Sequence, residues 1–172
     1  MLLLGLLAST ALLVSGCGQK PSEPDAEAAE QEQANAITAD FVPVEFDELI
    51  AEAIAEVEKF NGQKTIKPAL PVRFKAKKKR DPEAKEMAYV YTALEVAGVT
   101  PLPDIQHRMF VESDSGDIIP VYVEKSAAER LTAELPDEAS AEFVGYHLYN
   151  YTKGPAILVV DFLPTKHVGD AQ

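Results

Sequence analysis

AEFVGYHLYNYTKGPAILVVDF, residues 141–162, is the stretch on which the fold turns. Two runs rich in β-branched and aromatic residues flank Thr152-Lys153-Gly154, which predicts a hairpin with strands at 141–151 and 156–162. The second run opens Ala156-Ile-Leu-Val-Val160, continuous apolar sequence of the kind that is buried on both faces, so this strand belongs near the middle of its sheet. In the first run a period of two places Gly145, His147, Tyr149 and Tyr151 on one face and Val144, Tyr146, Leu148 and Asn150 on the other. One face is thus aromatic and polar. His147, Tyr149, Tyr151 and the turn residue Lys153 form a candidate binding surface, where rings could stack on a sugar, a peptide or a partner's side chains. The competing expectation is a core lined with tyrosines.

Working outward, 108–112 and 118–124 are two further apolar runs around Ser113-Asp-Ser-Gly-Asp117, a second hairpin. Between the hairpins, Ser126-Ala-Ala-Glu129 has the spacing of a capping box for a helix that runs to about Leu135 and stops at Pro136. Upstream, Phe46, Leu49, Ile50, Ile54, Val57 and Phe60 recur at steps of three and four with acids between them, and Asn61-Gly62 closes an amphipathic helix. Leu70, Val72, Phe74 and Ala76 alternate with Pro71, Arg73 and Lys75, a strand whose prolines suit an edge or an irregular start. The stretch 81–98 carries conflicting signals. Asp81-Pro-Glu83 and Gly98 bracket a helix, whereas Tyr89, Val90, Tyr91, Thr92 and Val96 favour a strand. The favoured expectation is a helical turn at 81–85 followed by a strand at 88–97; the alternative is a helix over 82–97 lying on a four- or five-stranded antiparallel sheet.

The element order resembles an OB-fold: three strands, a helix, then two more strands. The strands fall at 88–97, 107–112, 118–124, 141–151 and 156–162, with the helix at 126–135 and the Phe46 helix and Val72 strand added in front. The resemblance implies a mainly β or α+β domain over 41–165, a small antiparallel barrel. It also implies a binding groove bordered by the 141–151 strand, the turn after it and the loop 99–106. Element order carries no particular activity.

Residues 1–14, MLLLGLLASTALLV, are nearly all apolar and shorter than a membrane span requires. Val14-Ser15-Gly16-Cys17 follows, with small residues directly before the only cysteine. This leader resembles that of bacterial lipoprotein precursors. The resemblance implies a signal peptide at 1–16, lipidation of Cys17 and a membrane anchor. With glycine and not aspartate at position 18, it points to the periplasmic face of the outer membrane in a Gram-negative cell. From 17 to 40 the chain is rich in Pro, Glu, Gln and Ala, too polar to bury itself, and reads as a flexible tether; 166–172 is a short tail.

The 172 residues carry 28 acids and 16 bases, a net charge of −12, which argues against a nucleic-acid partner. Residues 18–60 hold 12 of the acids and 2 of the bases, so the remainder is close to neutral. Lys75, Lys77, Lys78, Lys79 and Arg80 are the one dense basic run, suited to anionic headgroups or an acidic partner, or else to blocking strand-edge pairing. A single cysteine excludes an internal disulfide and a cysteine-rich zinc site. Three separated histidines and the absence of phosphate-loop, dinucleotide or nucleophile-elbow patterns give no catalytic, metal or cofactor constellation. Asp114, Asp117 and Glu112 lie too close together for a calcium loop. The expectation is a non-catalytic envelope module that binds a protein or glycan. A structural subunit of a larger envelope complex is the alternative, and an unrecognised hydrolase a more distant one.

Overall fold

The computed structural model describes residues 38–165. The expected signal peptide, Cys17 and the tail from 166 onward lie outside the described residues, as does the tether except for 38–40. Seven strands and three helices follow in the order β1 (Val42–Pro43), α1 (Phe46–Lys59), β2 (Thr65–Lys78), β3 (Glu83–Ala84), α2 (Ala88–Val96), β4 (Ile105–Glu112), β5 (Ile118–Glu124), α3 (Lys125–Glu134), β6 (Ser140–Tyr151) and β7 (Gly154–Pro164). The strands form one mixed sheet in the order β1-β2-β6-β7-β5-β4-β3, with a further pairing of β2 to β4.

The hairpin at 141–162 forms as its sequence predicts, and β7 lies between β6 and β5, inside the sheet. Gly145 allows this close approach: a Cβ there would stand 2.0 Å from the Leu158 carbonyl oxygen. The expectation of an antiparallel sheet is corrected, since β1–β2 and β5–β7 are parallel. The β5–β7 pairing is possible because α3 provides the crossover between β5 and β6.

The expected strand at 88–97 is instead a helix, α2, over Ala88–Val96. Met87, Val90, Ala93 and Leu94 recur at helical spacing and all are buried against the sheet, so the buried face outweighs the β-propensity of the tyrosines and valines. Gly98, at φ 75°, ends the helix, and the expected turn at 81–85 is replaced by the short β3. The strand ahead of the hairpins is therefore β2, fourteen residues long. Its start is irregular: Ala69 has φ 51° and the register shifts between Ile66 and Leu70, beside Pro68 and Pro71. β2 is no edge strand, since β6 runs along one side and β1 and β4 meet the other.

Helix α1 ends as predicted, with Asn61 and Gly62 at positive φ and the Gly62 N–H donating to the Val57 carbonyl. The capping box at Ser126 does not form. Helix α3 begins at Lys125 with Glu124 as its first cap and no side-chain cap bond, because β5 runs straight into it. Its far end is held by Lys78, whose ammonium donates to the Leu131 and Leu135 carbonyls at 3.3 and 2.6 Å. A cation at this end also complements the helix dipole.

Two apolar cores lie against the sheet. In one, Phe74, Met109, Val111, Val121, Phe143, Ile157, Val159 and Phe162 pack with Phe46 and Ile50 of α1 and Leu131 of α3. The other joins α2 to Ile105, Leu148, Tyr149, Ala156 and Leu158, with Tyr122, Tyr146 and Tyr151 at its margin.

Candidate functional site

The expected alternation along β6 fails at its centre. A register shift between His147 and Tyr149 breaks the period of two, so these residues serve different surroundings. Asn150 Nδ2 donates to Glu56 of α1 at 2.6 Å, which leaves Asn150 Oδ1 to accept from His147 Nε2, also at 2.6 Å. His147 is buried, and desolvation holds its pKa below the ordinary histidine value, so the ring is neutral. Lys67 completes the group by pairing with Glu56 and holds that carboxylate's pKa down. The arrangement joins α1 to β6 and β2, and it leaves His147 no open face for a ligand.

Tyr149 is likewise buried, only 3% exposed. Its hydroxyl shares a 2.6 Å hydrogen bond with that of Tyr122, and its ring meets Tyr89 edge-on at 5.0 Å and Tyr151 at 6.0 Å. Burial, then the Tyr122 bond, raises its pKa, so the phenol remains protonated. Tyr151 is half-buried and burial pushes its pKa up to about 12. Lys153 is exposed in the two-residue turn between β6 and β7. Of the four residues proposed from sequence, Tyr151 and Lys153 retain accessible surface, whereas His147 and Tyr149 are interior.

The basic run is dispersed in the same way. Lys78 is 1% exposed, paired with Asp81 and Asp137 besides its helix carbonyls. Lys79 bridges Glu112 and Glu138 at 2.6 and 2.8 Å, Lys77 reaches Glu112 at 3.7 Å, and Arg80 pairs with Glu83 at 3.0 Å. Only Lys75 of the five has no acidic partner among the described residues. Asp81 and Glu83 neutralise it from three residues away, whereas Glu112 of β4 and Asp137 and Glu138 of the α3–β6 connection are brought in by the fold, a proximity the linear sequence does not display.

What the fold assembles instead is a face of alternating rings and cations. On β4, Met109 and Val111 point into the core, so Arg108 and Phe110 point outward. Arg108 lies directly across from Tyr122 of β5, and Phe110 across from Pro120. The Arg108 and Arg80 guanidinium carbons stand 5.1 and 4.8 Å from the Phe110 ring centroid. At the opposite end, the Lys64 ammonium sits 3.7 Å above the Tyr89 ring, which leads through Tyr149 to Tyr122. Sequence reasoning passed over Arg108, Phe110 and Tyr122, although the period of two in 108–111 already places Arg108 and Phe110 on one face.

A separate cleft of about 370 Å³ opens between β1, the start of α1 and β2, lined by Pro43, Phe46, Asp47, Arg73, Lys75 and Glu142 among others. Two of its charges are engaged, Arg73 with Glu142 at 3.4 Å and Asp47 with the Ser115 hydroxyl at 2.7 Å. Among the described residues there is no group of three or more His, Cys, Asp or Glu that could hold a metal ion, and no helix long and apolar enough to cross a membrane. Among the described residues the geometry defines a mainly β domain, a seven-stranded mixed sheet with three helices. No protein-family model matches this chain, and no curated protein matches it.

Proposed function

We propose that this chain is a lipid-anchored protein of the cell envelope whose OB-like head serves as a non-catalytic binding or adaptor module. Support for the anchor is the apolar leader running into Val14-Ser15-Gly16-Cys17, followed by a polar tether. Support for the OB-like reading is the circuit of pairings β2–β6–β7–β5–β4, which returns to β2 through Lys77 opposite Glu112 and Lys78 opposite Val111. With β2 as the first strand and the two-residue β3 left out of the count, α3 falls between the third and fourth, as in that fold. The parallel β5–β7 contact then joins the third strand to the fifth.

The observation that carries the binding reading is the outward face of Arg108, Phe110, Tyr122 and Tyr151, where cations and half-buried rings adjoin without a catalytic constellation. In OB-like domains the second and third strands, here β4 and β5, supply such a surface. The module acts by holding a ligand near the membrane at the end of a tether.

The test is crosslinking in intact envelopes followed by membrane fractionation, comparing the wild-type chain with Cys17→Ala. The wild-type chain should sediment with membranes and crosslink to a discrete envelope component, while Cys17→Ala should appear in the soluble fraction. Retention of Cys17→Ala in the membrane would overturn the lipid anchor. Absence of any crosslinked component would overturn the module reading.

A further inference from the structure

Of the chain's four arginines, Arg73, Arg80 and Arg130 each pair with a carboxylate. Arg108 has no carboxylate partner among the described residues, and its Nε is buried without a hydrogen-bond partner in the protein. Glu83 lies across from Arg108 in the β3–β4 ladder but pairs with Arg80, so the Arg108 guanidinium, half removed from water, has no ion pair of its own and is suited to receive an anion. Its surroundings narrow the ligand. Phe110 and Tyr122 flank it with ring surface, and Arg80, neutralised by Glu83, also stands beside Phe110 at 4.8 Å. Tyr151 adds a phenol that stays protonated and can exchange hydrogen bonds with hydroxyl groups. A lone phosphate or headgroup would use the guanidinium and leave the rings idle. A glycan that carries carboxylates, on its sugars or on attached peptides, uses both, a carboxylate on the planar fork and a sugar's apolar ring face against the aromatic side chains.

Building on the module reading above, we infer that the outer face of β4 and β5 binds a carboxylate-bearing glycan of the cell envelope, with Arg108 as the anion contact and Phe110, Tyr122 and Tyr151 as the ring platform. Binding of this kind is short-ranged and weakens with salt, since one exposed ion contact sets its charge dependence.

The experiment is co-sedimentation of the full chain, solubilised from envelopes in neutral detergent, with purified peptidoglycan whose stem-peptide carboxylates are free. The comparison probe is the same peptidoglycan after those carboxylates are converted to amides. Wild type should pellet with the first and bind the second about tenfold more weakly, the effect of losing one charge-assisted contact. Arg108→Gln should lose about tenfold on the untreated probe and become indifferent to amidation, with its thermal midpoint within a few degrees of wild type. Equal pelleting of both probes by wild type overturns the inference, and so does undiminished binding by folded Arg108→Gln. The amidation comparison stands even if that variant fails to fold. Arg108-dependent pelleting of the Cys17→Ala chain with phosphatidylglycerol vesicles in preference to peptidoglycan would also overturn it. If glycan binding fails while the wild-type chain still crosslinks to an envelope component, this inference falls and the module reading survives. If both fail, both fall.

Discussion

The two apolar cores against the sheet are built on different chemistry. The one beneath α1 and α3 is Phe, Val, Ile, Leu and Met, with Phe46 stacked on Phe74 at 4.4 Å and Phe74 on Phe143 at 5.7 Å. The one under α2 uses Val90, Ala93 and Leu94 of the helix together with tyrosines, Tyr91 from the helix itself and Tyr122, Tyr146, Tyr149 and Tyr151 from the sheet. Each of those tyrosines brings a hydroxyl that must find a partner, as Tyr91 does by donating to the Ile105 carbonyl at 3.1 Å. An all-apolar core is satisfied by close packing alone. A tyrosine-rich layer has to end where its hydroxyls can reach water or each other, so it presents a polar margin, and the ring-and-cation face lies along that margin.

The comparison breaks first at Phe143. Phe143→Ala removes a fully buried ring between β2 and β7 and should cost about 3–5 kcal/mol, measured by urea unfolding, with loss of cooperativity throughout the domain. In the outer layer, Leu94→Ala should cost less, about 2–3 kcal/mol. Hydrogen exchange should show α2 amides released while β6 and β7 amides keep their protection. Equal costs and uniform exchange would mean that the layers unfold as one core. The smallest effect sits at His147. Because its folded pKa lies below the ordinary 6.5, the unfolded chain takes up a proton that the folded chain resists. Stability is therefore complete above pH 6.5 and declines as pH falls below it. His147→Gln should flatten that portion of the curve in urea midpoints taken between pH 7.5 and 5; an unchanged slope would assign it to other groups.

Legibility followed the same division. The 141–162 hairpin, the 105–124 hairpin and α1 are readable because each follows a single period, two for strands and 3.6 for the helix. Helix α2 is harder because its nine residues mix helical spacing with β-prone side chains, and burial on the sheet decides between them. The site was legible only in part. Tyr151 and Lys153 lie at the surface as their positions suggest, but the shift after His147 is a tertiary event with no local marker, and it sends His147 to α1 and Tyr149 under α2. The basic run misleads for a related reason. Its acidic partners stand 33 and 59 residues away in the case of Lys79, so a charge count along the chain registers cations that the fold has already matched.

Strand β1 has a mechanical consequence under the proposed membrane anchor. It is bound to β2 by only two residue pairs, Val42 with Val72 and Pro43 with Arg73, together with the Val44 N–H donating to the Arg73 carbonyl. In the proposed anchored protein, tension drawn through the N-terminal segment meets the Phe41 ring, 5.6 Å from that of Tyr146, and then this short parallel contact before it reaches α1. The contact can peel away and lengthen the leash by roughly 3.3 Å for each residue released, while the remaining strands and the face on β4 and β5 keep their shape under load.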